Sequence, residues 1–118
     1  MPRESTFPKS KRLTLSAEFQ RVREEGRVAR GALLSMGVLP ECSGTVRAGF
    51  VTSRRVGNAV ARNRVRRRLR EIFRRHQHEI INATWVVTIA RPQAARATSA
   101  ALEHEWLRLA KRTSILAP

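Results

Sequence analysis

Ser53-Arg54-Arg55-Val56-Gly57-Asn58-Ala59-Val60-Ala61-Arg62-Asn63-Arg64-Val65-Arg66-Arg67-Arg68-Leu69-Arg70-Glu71-Ile72-Phe73-Arg74-Arg75 is the stretch on which the fold turns. Gly57-Asn58 interrupts the extended run before it and starts a helix. Along that helix Val65, Leu69, Ile72, Phe73 and His76 share one stripe at the helical period. Asn63, Arg66, Arg67, Arg70 and Arg74 fall on the opposite side. One face can dock on a sheet while the other presents a ladder of guanidinium groups.

Upstream of this helix, Thr45 to Ser53 alternates, with Val46, Ala48, Phe50 and Thr52 on one side and Arg47, Gly49, Val51 and Ser53 on the other. Ala32 to Leu39 also suits a strand, and Pro40-Glu41-Cys42-Ser43-Gly44 reads as a turn between the two, which predicts a hairpin. Arg27 to Arg30 admits a further short strand. Ser16 is a good N-cap for a helix over Ala17 to Glu25 that stops at Gly26. Downstream, Trp85 to Ala90 is an apolar run ended by Arg91-Pro92 and suits a buried strand. Thr98 or Ser99 caps a last helix to about Arg112, with Leu102, Trp106 and Leu109 as its core stripe. The order α-β-β-β-α-β-α predicts an α+β sandwich, a small and mostly antiparallel sheet packed with three helices. Residues 1–11 read as a flexible basic arm and residues 114–118 as a fraying tail. No linker divides the rest, so 1–118 is expected to be one domain.

Charge points to the partner. The 118 residues hold 24 Lys plus Arg against 9 acids, for a formal net charge of +15. Of the cations 21 are Arg, and every acid is Glu. Residues 53–75 alone carry ten cations and one acid, so more than half of the excess sits in 23 residues. A bias toward Arg explains why Arg stands in place of Lys. It does not explain so many cations with only Glu71 to balance them. A polyanion is therefore the expected partner, nucleic acid ahead of an anionic membrane. Strands flank the basic helix, which argues against a helix-turn-helix, and a broad Arg ladder suits a structured RNA better than a DNA groove. No apolar stretch approaches a membrane span, and the polar N-terminus has no secretory core, so a cytoplasmic protein is expected.

Catalytic chemistry has little support in the chain itself. A single cysteine, Cys42, allows no internal disulfide and no Cys-based metal site. His76 and His78 face different sides of a helix, and Glu71 among arginines reads as an ion-pair partner rather than a base. No catalytic residue and no all-protein metal site is expected. Phe19 and Val22 have two readings, as packing between the first helix and the sheet or as a stacking platform for an unpaired base. Phe50 is likewise core or platform, while Trp85 and Trp106 read as core.

Arg54-Arg55, then Gly57-Asn58-Ala59-Val60, then Arg62-Asn63-Arg64 closely resembles the signature of the bacterial ribonuclease P protein subunit. The surroundings agree over about Lys11 to Lys111: Glu18-Phe19-Gln20-Arg21-Val22 resembles that family's first helix, and Val86 to Arg91 resembles the strand after its basic helix. The resemblance implies a fold with a left-handed βαβ crossover. It implies a partner, a catalytic RNA subunit, with which the protein removes the 5′ leader of precursor tRNA by hydrolysis. It implies that the RNA carries the active site and its Mg²⁺, while the protein holds the leader and strengthens metal binding. Carried over by residue, Arg54, Arg55, Arg62, Asn63, Arg64, Arg66, Arg67 and Arg70 would contact the RNA subunit. Phe19, Val22, Phe50, Asn58 and Arg62 would bind the leader. Arg23 stands where some members have a second aromatic residue, and the sheet aromatic expected near Met36 or Gly37 is missing. The alternative is a general structured-RNA-binding or ribosome-associated protein; DNA and membrane are not expected partners.

Overall fold

The computed structural model describes residues 12–13, 16–41, 45–81 and 83–116. The basic arm over 1–11, the turn at Cys42 and the end of the tail, 117–118, lie outside the described residues. The elements run α1 (Ser16–Glu25), β1 (Arg27–Arg30), β2 (Leu34–Glu41), β3 (Arg47–Thr52), α2 (Ala59–His76), β4 (Ala83–Ala90) and α3 (Ser99–Arg112). Short 3-10 turns occupy Arg54–Val56, Gln77–Glu79 and Pro92–Arg96.

Local chemistry sets the helix starts. Gly57 adopts φ 149°, a backbone open to glycine and costly for other residues. Asn58 then caps α2, its side chain accepting the Ala61 N–H at 2.9 Å. Thr98 caps α3 in the same way, accepting from Ala101 N–H at 3.0 Å. Each such cap contributes about 1 kcal/mol.

The sheet order is β1-β2-β4-β3, with β1–β2 and β2–β4 antiparallel and β3–β4 parallel. The hairpin expected between β2 and β3 does not form, because β4 lies between them. Val86 and Val87 are both buried, so the middle of β4 is covered on both faces, as suits a strand in the interior of the sheet. Crossing two strand spacings takes about 10 Å, well within the reach of residues 42–46. The hairpin that does form is β1–β2, built on the short strand at Arg27 to Arg30. The unit β3–α2–β4 is a parallel βαβ crossover. β3 is left at the edge, where the Leu13 N–H donates to the Ala48 carbonyl at 2.8 Å.

Alternation along the strands divides the side chains between two layers. Leu34, Met36 and Val38 of β2 and Val86 and Ala90 of β4 face α2 and α3. There they meet Val65, Leu69, Ile72, Phe73, Leu102, Trp106 and Leu109. Phe73 packs edge-on against both Phe50 and Trp106, with centroids 6.1 and 6.4 Å apart. The Trp106 indole N–H donates to Thr88 Oγ1 at 3.1 Å. On the other face α1 covers a smaller cluster of Leu13, Val22, Leu39 and Val87. Buried Glu105 joins the layers at one end by accepting the backbone N–H groups of Leu33 and Leu34, each at 2.6 Å.

The expected tail is corrected at its start. Ile115 is buried in the main core, its carbonyl accepts the Ile81 N–H at 2.8 Å, and Leu116 bridges to Ile80. The apolar Ile115 side chain is what draws the chain back after α3.

Candidate nucleic-acid interface

The arginines of the basic stretch divide by position on α2. Val65, Leu69, Ile72 and Phe73 are buried against the sheet and α3, as their spacing predicts. Arg68 and Arg75 lie on the flank facing α3. Arg68 donates to the Ala97 carbonyl at 2.9 Å, and Arg75 pairs with Glu103 at 3.1 Å. Arg74 pairs with Glu71, the ion-pair role expected for that acid. These three cations are engaged within the protein. The side chains of Arg54, Arg55, Arg62, Arg64, Arg67 and Arg70 make no hydrogen bond or ion pair among the described residues. Arg54, Arg55, Arg64, Arg67 and Arg70 are exposed, whereas Arg62 is half-buried with its Nε enclosed and without a hydrogen-bond partner among the described residues. Arg62, Arg66 and Arg70 repeat every four residues and so form one row, on the flank of α2 nearest β3. Asn63 and Thr52 accept from the Arg66 guanidinium at 3.2 and 2.5 Å, which fixes its direction.

On the opposite face of the sheet, α1 is too short to cover all of the strands. It leaves a cleft of about 510 Å³. Phe19, Val22 and Arg23 of α1 form one wall, and Val28, Gly37, Val51, Val87 and Ile89 form the floor. Val28 and Ile89 are 51% and 40% exposed, so this floor keeps apolar surface in water. Arg23, Arg30 and Arg91 also line the cleft, and among the described residues no acidic one does. Such a groove suits a single-stranded polyanion, with apolar contact for bases and guanidinium groups for phosphates.

Of the cleft residues expected from sequence, Phe19 and Val22 are both present. Val22 is 1% exposed, so it packs α1 onto the sheet and offers the cleft only a sliver of surface. Phe19 is half-buried and serves both as packing and as wall. Phe50 is a correction: its side chain is on the α2 face, against Phe73, and is not in the cleft. Strand alternation separates it from Gly49 and Val51, its neighbours on the cleft side. Trp85 is likewise outside the main core. It is half-buried on the α1 face, with the guanidinium groups of Arg21 and Arg47 over its ring at 5.3 and 5.2 Å. Asn58 and Arg62 are not among the cleft-lining residues; they stand at the start of α2, beyond the C-terminal end of β3. That is the end of the sheet where Val51, Ile89 and Arg91 line the cleft. Among the described residues, no three His, Cys, Asp or Glu side chains form a group that could hold a metal ion. The described side chains therefore do not fit an Mg²⁺ held by protein alone.

A family model described as Ribonuclease P matches residues 7–114. The chain belongs to the ribonuclease P protein family. Among related sequences, a ribonuclease P protein component of Thermus scotoductus is 41% identical over 98 residues, covering 83% of this chain and 57% of the relative. This chain thus spans little more than half of that relative's length. A ribonuclease P protein component of Xylella fastidiosa is 39% identical over 111 residues, covering 93% of this chain and 81% of the relative. The fold agrees with the RNase P protein of Staphylococcus aureus at a TM-score of 0.85, with 26% identity, 92% of this chain and 100% of that one. For the RNase P protein of Thermotoga maritima the TM-score is 0.77, with 28% identity, 86% of this chain and 96% of that one.

In this member of the ribonuclease P protein family, Phe19 is the one aromatic residue among those that line the cleft, beside Arg23, Arg30 and Arg91. Gly37 is the β2 residue on the cleft floor, and Met36 is buried on the other face. A Cβ on Gly37 would stand 3.1 Å from Val22 Cγ1, so the Val22 side chain would have to give way by a few tenths of an ångström to admit a larger residue there. Sequence reasoning passed over Arg30 and Arg91 as site residues, along with Val28, Val51 and Ile89. Two-residue alternation from Val87 through Ile89 carries that signal, and it was legible only once the face toward α1 was known.

Proposed function

We propose that this chain is the RNA-binding subunit of a ribonuclease P holoenzyme that removes the 5′ leader of precursor tRNA. One observation carries the reading. Unpartnered arginines cover α2 on one face of the sheet, while a cation-lined apolar cleft opens on the other face toward the end where α2 begins. A folded RNA held on α2 would therefore bring an emerging single strand to the cleft mouth. Arg54, Arg55, Arg62, Asn63, Arg64, Arg66, Arg67 and Arg70 take the RNA subunit. Phe19, Val22 and the arginines of the cleft take the leader, with Asn58 and Arg62 at the junction. Hydrolysis is assigned to the RNA subunit, with Mg²⁺ held by RNA and substrate.

No helix among the described residues is long and apolar enough to cross a membrane. Function beside tRNA precursors places the protein in the cytoplasm. The test is reconstitution at low Mg²⁺. The protein alone should cut nothing. Added to a cognate catalytic RNA, it should accelerate leader removal and favour precursor over mature tRNA. Equal binding of both tRNA forms without acceleration would support a general RNA-binding role.

A further inference from the structure

We propose that Arg47 is a positioning residue for leader binding: its guanidinium fixes α1 over the sheet and so holds Phe19 in the cleft wall. The leader rests on the ribonuclease P reading; the hold on α1 does not. α1 has little apolar grip of its own. Among its described residues only Val22 is buried, with Phe19 half-buried beside it. Contacts at i and i+3 anchor one turn of this ten-residue helix and do little to fix its direction.

Arg47 supplies the second anchor. It opens β3, paired in register with Trp85 of β4. Its Nη1 donates to Glu18 Oε2, and its Nη2 donates to the Arg12 carbonyl at 2.9 Å. Its guanidinium carbon stands 5.2 Å from the centroid of the Trp85 ring. One side chain thus ties together α1, the chain that leads into it, and β4. Glu18 directly precedes Phe19, so the tie acts on the turn that carries the ring. The Glu18 and Arg47 side chains are 13% and 26% exposed, which shields their ion pair from water and salt and sets it apart from a surface pair. Arg21 of α1 lies over the same indole at 5.3 Å, and Glu18 and Glu25 pair with the two cations one for one. The cluster is therefore balanced within the protein, unlike the exposed arginines of α2. Arg47 Nε is enclosed and makes no hydrogen bond among the described residues, so the side chain is held by its fork. Two N–H groups donating in different directions from a flat group laid over an indole is a guanidinium geometry, which a Lys ammonium does not reproduce.

The experiment measures holoenzyme affinity for precursor tRNA with and without its leader, for wild type, R47K, F19A and the double variant. R47K keeps the charge and loses the fork. It should weaken the leader-dependent part of binding roughly fivefold, the lower end of what one base stacked on an aromatic ring contributes. Affinity for the catalytic RNA and for leaderless substrate should not change. In the F19A background R47K should add no further loss, because Arg47 acts through the ring. A further loss of equal size there would show that Arg47 works independently of Phe19 and overturn the positioning role. A leader preference unchanged by R47K, or a loss shared by both substrates, would overturn it as well. E18Q, which weakens the tie from the other side, should reproduce the R47K result. The hold on α1 is read without RNA. Amide hydrogen exchange of the full chain should quicken roughly fivefold across α1 in R47K, with α2 and α3 unchanged. Unchanged exchange in α1 would overturn the hold. A wild type without any preference for a leader would count against the ribonuclease P reading, and the exchange arm would then decide whether Arg47 holds α1.

Discussion

Phe19 lies directly over Gly49: a Cβ built on Gly49 would stand 2.6 Å from Phe19 Cε1 and 2.7 Å from Cζ. The missing side chain on β3 is what lets the ring rest against the sheet and form the wall of the cleft. Gly49→Ala should expel the ring and cost about 1–3 kcal/mol. In a Phe19→Ala background the tightest remaining contact given is Leu13 Cβ, at 3.2 Å, and the same change should cost far less. Denaturant unfolding of the four proteins should give a coupling of about 1 kcal/mol or more. Additive effects would mean that the ring does not depend on Gly49. Both single variants should also weaken precursor tRNA binding in the holoenzyme while sparing affinity for the RNA subunit.

The arginines of α2 look equivalent in sequence and should behave differently. Arg64→Ala and Arg67→Ala remove exposed, unpartnered cations. Each should leave the melting temperature nearly unchanged and reduce the log–log salt slope of RNA-subunit binding by about one. Arg68→Ala removes a donor to the Ala97 carbonyl. It should cost about 1 kcal/mol of stability, or roughly 4 °C, with little change in slope. Salt titrations beside melting curves separate the two classes. A slope unaffected by Arg64→Ala and Arg67→Ala would show that α2 does not face phosphate.

How far the chain could be read beforehand depended on the range of the interaction. Asn58 and Thr98 as helix starts, and the stripe from Val65 to Phe73, are local consequences of capping and periodicity, and they were legible. The sheet order was not. The short turn after β2 suggested pairing with β3, yet the burial of Val86 and Val87 on opposite faces of β4 suits it to the central place, and that is a property of the whole sheet. The same gap misplaced Phe50. Its alternation partners were right, but the face toward α1 becomes known only when Phe19 is seen on Gly49. Similarly, ten cations in residues 53–75 could be counted, but not which of them Glu71, Glu103 and Ala97 would engage.

With Arg23, Arg30 and Arg91 along the cleft, leader affinity should rest more on charge than on stacking. The preference for precursor over mature tRNA should therefore fall steeply with salt. Replacing any one of the three by Gln should flatten that dependence by about one unit of log–log slope. None of the three makes a hydrogen bond or ion pair through its side chain among the described residues, so folding should be unaffected. The measurement is holoenzyme affinity for precursor with and without a leader, across a salt series. Loss of affinity for both substrates alike would assign these arginines to tRNA or RNA-subunit contact instead.

His76 gives the fold a pH dependence of definite sign. Its Nδ1 meets Glu79 at 2.5 Å and its Nε2 meets Glu103 at 2.8 Å, and the ring stacks on Trp106 at 6.0 Å. Only the imidazolium carries N–H groups toward both carboxylates. Burial lowers the pKa, but the hydrogen bonds and charges of Glu79 and Glu103 outweigh it, so the folded value is raised above the ordinary 6.5. Because the folded state holds the proton more tightly, the contribution is complete below the unfolded pKa. It is lost as pH rises from there through the raised folded value. The stability difference between wild type and His76→Gln should therefore shrink over that interval and be flat above it. Thermal unfolding of both proteins across the neutral range measures this. A difference that grows with pH would mean that His76 is neutral in the folded protein and bonds only one of the two carboxylates.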